Sequence, residues 1–137
     1  MKTAALVLSV VSSLLFTCAG CGTGTVNTNC SATGITVSPA TGTADHAASA
    51  PANSFQFAAN NVLPSGCAQA AVIVPGGNAG ATWTVSDTVH ATISNAKDST
   101  NGTATCIAAD SVPITVTATA TSSAGQTFTA TATLTCK

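Results

Sequence analysis

Ile114-Thr115-Val116-Thr117-Ala118-Thr119-Ala120-Thr121, then Ser122-Ser123-Ala124-Gly125, then Thr127-Phe128-Thr129-Ala130-Thr131-Ala132-Thr133-Leu134-Thr135-Cys136, is the stretch that decides the fold. Apolar and hydroxyl side chains alternate without a break on both sides of a turn-forming cluster. Successive side chains of a β-strand point to opposite faces, so the pattern describes an antiparallel hairpin with one apolar and one threonine face. A one-residue slip would exchange the two faces completely, which fixes the register.

Upstream, shorter runs of the same kind are broken by turn residues at intervals of roughly ten, the spacing of an all-β sandwich or barrel. Ile35-Thr36-Val37-Ser38 is closed by Pro39, whose missing N–H ends a ladder and suits an edge. Ser54 to Ala59 puts Phe55, Phe57 and Ala59 on one face. Ala81 to Ser86 puts Ala81, Trp83 and Val85 on one face and Thr82 and Thr84 on the other. Ala91 to Ser94 is a short strand, and Asn101-Gly102 is a hairpin signal that introduces Thr103 to Ala108. The expected core is Phe55, Phe57, Trp83, Val85, Ile114, Val116, Phe128 and Leu134. A long connection lies between Phe57 and Trp83. Its Ala71-Val72-Ile73-Val74 is too apolar for a free loop, and a further short strand or packed flap is expected there.

The N-terminus reads differently. Met1-Lys2 followed by the uncharged apolar run Ala4 to Phe16 has the form of a signal peptide, too short to cross a hydrocarbon core of about 30 Å. Cys18-Ala19-Gly20-Cys21 resembles the lipobox of bacterial lipoproteins, with Cys18 where that pattern usually has Leu. The resemblance implies acylation of Cys21 as the mature N-terminus and a lipid-anchored envelope location, with simple secretion as the alternative. Several acyl chains suffice for stable anchoring. The Cys-x-x-Cys spacing of this pair has no strand-to-helix context for redox work, and cleavage would separate it. The organisation is therefore a signal segment over 1–20, a tether over 21–34 rich in Gly, Thr and Asn, and a β domain over 35–137.

The ordered set Ile35-Thr36-Val37-Ser38-Pro39, Trp83-Thr84-Val85-Ser86-Asp87, Ala91-Thr92-Ile93-Ser94, Asn101-Gly102-Thr103-Ala104-Thr105 and Ile114-Thr115-Val116-Thr117-Ala118 resembles the bacterial Ig-like domains of group 2. That likeness implies an immunoglobulin-like β-sandwich of about seven strands. It also implies a role in surface display, adhesion or spacing, without chemistry. The cysteines and the long connection before Trp83 depart from the family pattern.

Apart from Cys21, the cysteines of the mature part are Cys30, Cys67, Cys106 and Cys136. Their even number in an exported chain indicates two disulfides, with three possible connectivities. They lack the close pairing of a zinc site. If the strands follow the Ig-like order, Cys30 lies at the end that holds the Cys67 loop, while Cys106 and Cys136 point inward at the other. This favours Cys30 with Cys67 and Cys106 with Cys136.

Charged residues are 5% of the 137, with a formal net charge of −1 and no Arg, Glu or Tyr. No basic stripe is present to release counterions from a phosphate backbone, so no nucleic-acid partner is expected. The membrane is met only through the lipid. His46 beside Asp45, and His90 three residues after Asp87, are the only candidates for acid–base or metal chemistry. No Gly-x-Ser-x-Gly elbow accompanies them, so no catalytic residue, cofactor or metal is expected. Trp83, flanked by Ala81 and Val85, reads as core and not as a sugar platform. The outward threonines read as β-formers on a solvated face. Asn29-Cys30-Ser31 and Asn101-Gly102-Thr103 match the glycosylation sequon, but the signal segment and lipobox resemble bacterial ones, so the matches are read as accidental. The expected function is a non-catalytic interaction, adhesion or spacer domain with a protein or glycan partner, the alternative being a carbohydrate-binding module. Any binding site is expected on the loops from Pro64 to Gly80.

Overall fold

The computed structural model describes residues 30–67, 70–71, 80–122 and 124–137, with the side chains at 30, 31, 70 and 71 outside that description. The signal segment, Cys21 and most of the tether therefore lie outside the described residues, as does the apolar stretch 72–74. No α-helix occurs among those described.

The strands are β1 (Cys30–Ser31), β2 (Gly34–Ser38), β3 (Thr41–Ala44), β4 (Ser54–Gln56), β5 (Ala58–Val62), β6 (Ala70–Ala71), β7 (Thr82–Val85), β8 (Ala91–Ile93), β9 (Thr103–Cys106), β10 (Ile114–Thr121) and β11 (Thr127–Cys136). One layer has the order β3-β11-β10-β7. The other contains β4-β9-β8, and β2 paired with β5. This is the strand order of an immunoglobulin-like sandwich. β2 with β3, and β4 with β5, are single lines of chain that change partner; with β1 and β6 set aside as two-residue pairs, the seven-strand expectation is recovered.

The hairpin register is the one the alternation demands: Ile114 faces Leu134, Val116 faces Ala132, Ala118 faces Ala130 and Ala120 faces Phe128. β7 joins the other side of β10 with Trp83 opposite Ala118, so small alanines flank the largest side chain of the core. Every outward residue of this sheet is threonine: Thr41 and Thr43 on β3, alternate positions from Thr127 to Thr135 on β11 and from Thr115 to Thr121 on β10, and Thr82 and Thr84 on β7. The β-branched carbon favours the strand, and the hydroxyl solvates a face that carries no charge.

The inner faces of the two layers form one apolar cluster. Phe57, Trp83, Ile114, Val116 and Leu134 are its largest fully buried members, while Phe55, Val85 and Phe128 pack against it half-buried. Phe55 leans on Phe57 with ring centroids 5.1 Å apart. Its ring also lies over Gly42, where a Cβ would come 2.4 Å from Phe55 Cδ1. Leu134 faces that same glycine across the β3–β11 ladder, so the missing side chain makes the room that Phe55 fills.

Some sequence expectations need correction. The strand expected over Ser54 to Ala59 is interrupted at Phe57, whose N–H donates to the Gly102 carbonyl at 3.0 Å. Before that point the chain pairs with β9, and beyond it with β2. Pro39 ends β2 as expected, but the chain resumes at Thr41 as β3 in the opposite layer, parallel to β11. Asn101-Gly102 closes a hairpin wider than a two-residue turn: Gly102 N–H donates to Ser94 O, and Ser94 N–H to Thr103 O, both at 2.9 Å. Gly102 sits at φ +81°, a conformation that suits glycine.

Cys106 and Cys136 form a disulfide with Cα atoms 5.6 Å apart, joining β9 of one layer to β11 of the other. Cys67 is also disulfide-bonded. Its expected partner, Cys30, has its side chain outside the described residues. The backbone of β1 nevertheless runs parallel to β6, with Cys30 beside Ala70 and so close to the Cys67 segment.

Candidate functional site

β7 ends at Val85, and the chain must turn before entering β8 at Ala91. Asp87 makes that turn, its Oδ1 accepting the backbone N–H of Val89 at 2.8 Å and that of His90 at 3.3 Å. This is the local bonding that short carboxylates offer at turns. The other oxygen, Oδ2, accepts a hydrogen bond from His90 Nδ1 at 2.7 Å. That bond first, and the Val89 N–H second, hold the Asp87 carboxyl below its usual pKa.

A second loop, residues 107–113 between β9 and β10, closes over the first. The His90 carbonyl accepts the N–H groups of Ile107 at 2.8 Å and Ala108 at 3.3 Å, and Asp110 N–H donates to the Cys136 carbonyl at 3.1 Å. Asp110 Oδ1 accepts Val112 N–H at 2.9 Å. Its Oδ2 lies 4.0 Å from His90 Nδ1. The Cys106–Cys136 bridge lies under both loops, with Cys136 Sγ 3.8 Å from the His90 carbonyl oxygen.

Asp87, His90 and Asp110 thus offer a ligand atom each, all within 4.8 Å of one another. Their side chains are 33%, 32% and 15% exposed, so the cluster is reachable from solvent. The aspartates that look scattered in the sequence are brought together around one imidazole. Sequence reasoning paired Asp87 with His90 but missed Asp110, which is twenty positions further on by number and has no local signal. His46 is not part of the cluster: its ring nitrogen and its backbone N–H both meet the Lys137 carbonyl. Among the described residues the His90 ring hydrogen-bonds the Asp87 carboxylate.

Three of the large exposed aliphatic residues belong to these same loops. Val89 is 72%, Ile107 53% and Val112 65% exposed. Each is the direct neighbour of a cluster residue or is tied to one through its backbone N–H. The end of the sandwich above the disulfide therefore combines carboxylate, imidazole and apolar surface.

Trp83 offers no sugar platform. Its side chain is buried, with the indole N–H donating to Asn101 Oδ1 at 2.8 Å. An open groove of about 350 Å³ runs beside β7 and β8, lined by Trp83, Val85, Ala91 and Ile93 among others, but it presents no free aromatic face. Asn101 is itself 1% exposed, so the sequon there is closed in the folded chain. The loop from Pro64 to Gly80, where a site was expected, lies mainly outside the described residues.

Fold and site together define an all-β sandwich with an immunoglobulin-like strand order and a polar–apolar loop end. The chain matches no protein-family model and no curated protein.

Proposed function

We propose that this chain is an exported, lipid-anchored binding domain without catalytic activity, and that the loop end formed by residues 86–90 and 107–113 receives a protein partner. One observation carries the reading: Val89, Ile107 and Val112 are exposed together around Asp87, His90 and Asp110, on loops tied to each other and to a disulfide. Grouped exposed aliphatics mark interaction sites, whereas single ones do not. The two carboxylates add a preference for a partner that sets a basic group beside apolar side chains. Loops held on a rigid sandwich supply such surface at little ordering cost.

Export rests on the Ala4 to Phe16 run, and anchoring on the lipobox resemblance at Cys21, with the residues after it as the tether; the folded domain begins earlier than the expected 35, since β1, the buried Ala32 and Gly34 of β2 belong to it. The likeness to group-2 bacterial Ig-like domains agrees with display at the envelope. Glycan binding would have to use loop hydroxyls and amides, because Trp83 is withheld in the core.

The test compares the exported chain with a Val89→Ser, Ile107→Ser, Val112→Ser variant for binding to protein and to polysaccharide fractions of the host envelope. Saturable binding to a protein fraction that the variant loses supports the proposal. Equal binding by both chains, or binding to the polysaccharide fraction alone, contradicts it. Intact mass spectrometry of the membrane fraction tests the anchor: a species that begins at acylated Cys21 supports it, and an unacylated soluble species removes it.

A further inference from the structure

We propose that Asp87, His90 and Asp110 form a binding site for a divalent transition-metal ion of the zinc type. The inference does not depend on the protein-partner reading, although it concerns the same end of the molecule.

The donor set is one imidazole nitrogen and two carboxylate oxygens. Imidazole suits zinc and its neighbours in the first transition row, whereas calcium takes six to eight oxygens. Zinc bonds of about 2.0 to 2.2 Å at a tetrahedral angle place neighbouring ligand atoms roughly 3.4 Å apart. Here His90 Nδ1 lies 2.7 Å from Asp87 Oδ2 and 4.0 Å from Asp110 Oδ2. Those separations bracket the required value, and a shift of about 0.7 Å in each makes both correct.

The supporting hydrogen bonds leave the right atoms free. Asp87 Oδ1 is occupied by the N–H groups of Val89 and His90, and Asp110 Oδ1 by that of Val112. In both carboxylates it is Oδ2 that is turned toward the imidazole. Metal-ligating carboxylates are commonly oriented in this way by hydrogen bonds to the second oxygen. Asp110 Oδ2 accepts no hydrogen bond among the described residues and reaches solvent, so it is open to an incoming ion. Asp87 Oδ2 has one partner, the His90 N–H that metal binding would replace. The His90 carbonyl, by accepting Ile107 and Ala108 N–H, locks the two contributing loops together.

Binding needs the lone pair of His90 Nδ1. A neutral imidazole frees it by carrying its one ring proton on Nε2 instead, with no net release, whereas an imidazolium gives its Nδ1 proton to solvent and keeps the one on Nε2. No electron transfer is involved. Three protein ligands leave one tetrahedral position open to water.

The experiment is calorimetric titration of the exported chain, disulfides intact, with Zn²⁺ alone, in buffers of different ionisation enthalpy. Co²⁺ absorption serves as a second readout. Expected are one equivalent bound, at most about one proton released, a neutral imidazole releasing none, and at least about tenfold weaker binding in His90→Asn and in Asp110→Asn, with His46→Asn unchanged. Circular dichroism of each variant confirms the fold. No saturable binding, binding that His90→Asn leaves intact, or loss of binding in His46→Asn overturns the site. Equal protein binding by the parent chain and the serine variant, with metal binding retained, would leave this inference standing and remove the other.

Discussion

Asn101 and Trp83 are joined by a hydrogen bond inside the core: the indole N–H donates to Asn101 Oδ1 at 2.8 Å, and Asn101 is 1% exposed. The amide also donates to the Ala96 carbonyl at 2.8 Å, so the buried side chain uses both ends. A second asparagine holds the same tryptophan from its edge. Asn95 Oδ1 accepts Trp83 N–H at 2.6 Å, and Asn95 Nδ2 donates to the Trp83 carbonyl at 2.9 Å. Among the described residues β7 is the last strand of its sheet, and at Trp83 this side-chain amide takes up the backbone N–H and carbonyl on that side.

Replacing Asn101 by Leu would leave the buried indole N–H and the Ala96 carbonyl without this partner. The expected loss is about 2 to 4 kcal/mol of unfolding free energy, most of it the cost of unmade hydrogen bonds. Asn95→Ala should cost less, about 1 kcal/mol, because solvent can reach an edge. Urea denaturation of both variants checks the order, and an Asn95→Ala loss exceeding that of Asn101→Leu would contradict it.

Gly42→Ala brings a Cβ to 2.4 Å from Phe55 Cδ1, a distance no real contact allows. The expected destabilisation is about 1 to 3 kcal/mol from overpacking. Phe55→Leu should relieve part of it, so a double-mutant cycle on the two positions should show coupling of at least about 0.5 kcal/mol. Additive losses would mean that the ring does not depend on the glycine.

The Cys106–Cys136 bridge spans a sequence separation of 30. On the chain-entropy account its removal by paired Cys→Ser substitution costs about 3 to 4 kcal/mol. It should also loosen the 107–113 loop, whose Asp110 N–H is bound to the Cys136 carbonyl. Hydrogen exchange at Asp110 and Ile107 should quicken more than exchange on β10, and uniform quickening would count against a local role.

Asp87 titrates below its usual range in the folded chain, chiefly through the His90 hydrogen bond. A carboxyl with a depressed folded pKa contributes stability that is present above its unfolded pKa and disappears as pH falls through the folded value. Acid unfolding should therefore be shallower for Asp87→Asn below pH of about 4. Asp98, lowered by the Thr100 hydroxyl and then its N–H, acts in the same direction. An unchanged acid limb in Asp87→Asn would show that its hydrogen bonds persist on unfolding.

How far these features are legible in the sequence depends on how local their causes are. The β10–β11 hairpin is readable because alternation and turn lie within one continuous stretch, and the observed register pairs Ile114 with Leu134. β3 is not, since its Thr41-Gly42-Thr43-Ala44 is a poor strand by composition and is held by a parallel ladder to β11. Phe55, Val85 and Phe128 show apolar periodicity like that of Trp83 but end half-buried, because burial depends on what the opposite layer supplies. Asn101 announces a turn and gives no hint that its side chain is a core acceptor for an indole. Asp110 joins His90 only because the 107–113 loop folds back over the other.

On the proposed function, the end carrying Val89, Ile107 and Val112 meets a partner and the threonine face does not. The most direct measurement is site-specific photo-crosslinking in the host, with the crosslinking residue placed singly at Val89, Val112, Thr117 and Thr131. A discrete protein adduct from the first two positions and none from the last two is the predicted result. Adducts from the threonine face alone, or none from Val89 and Val112, would contradict it.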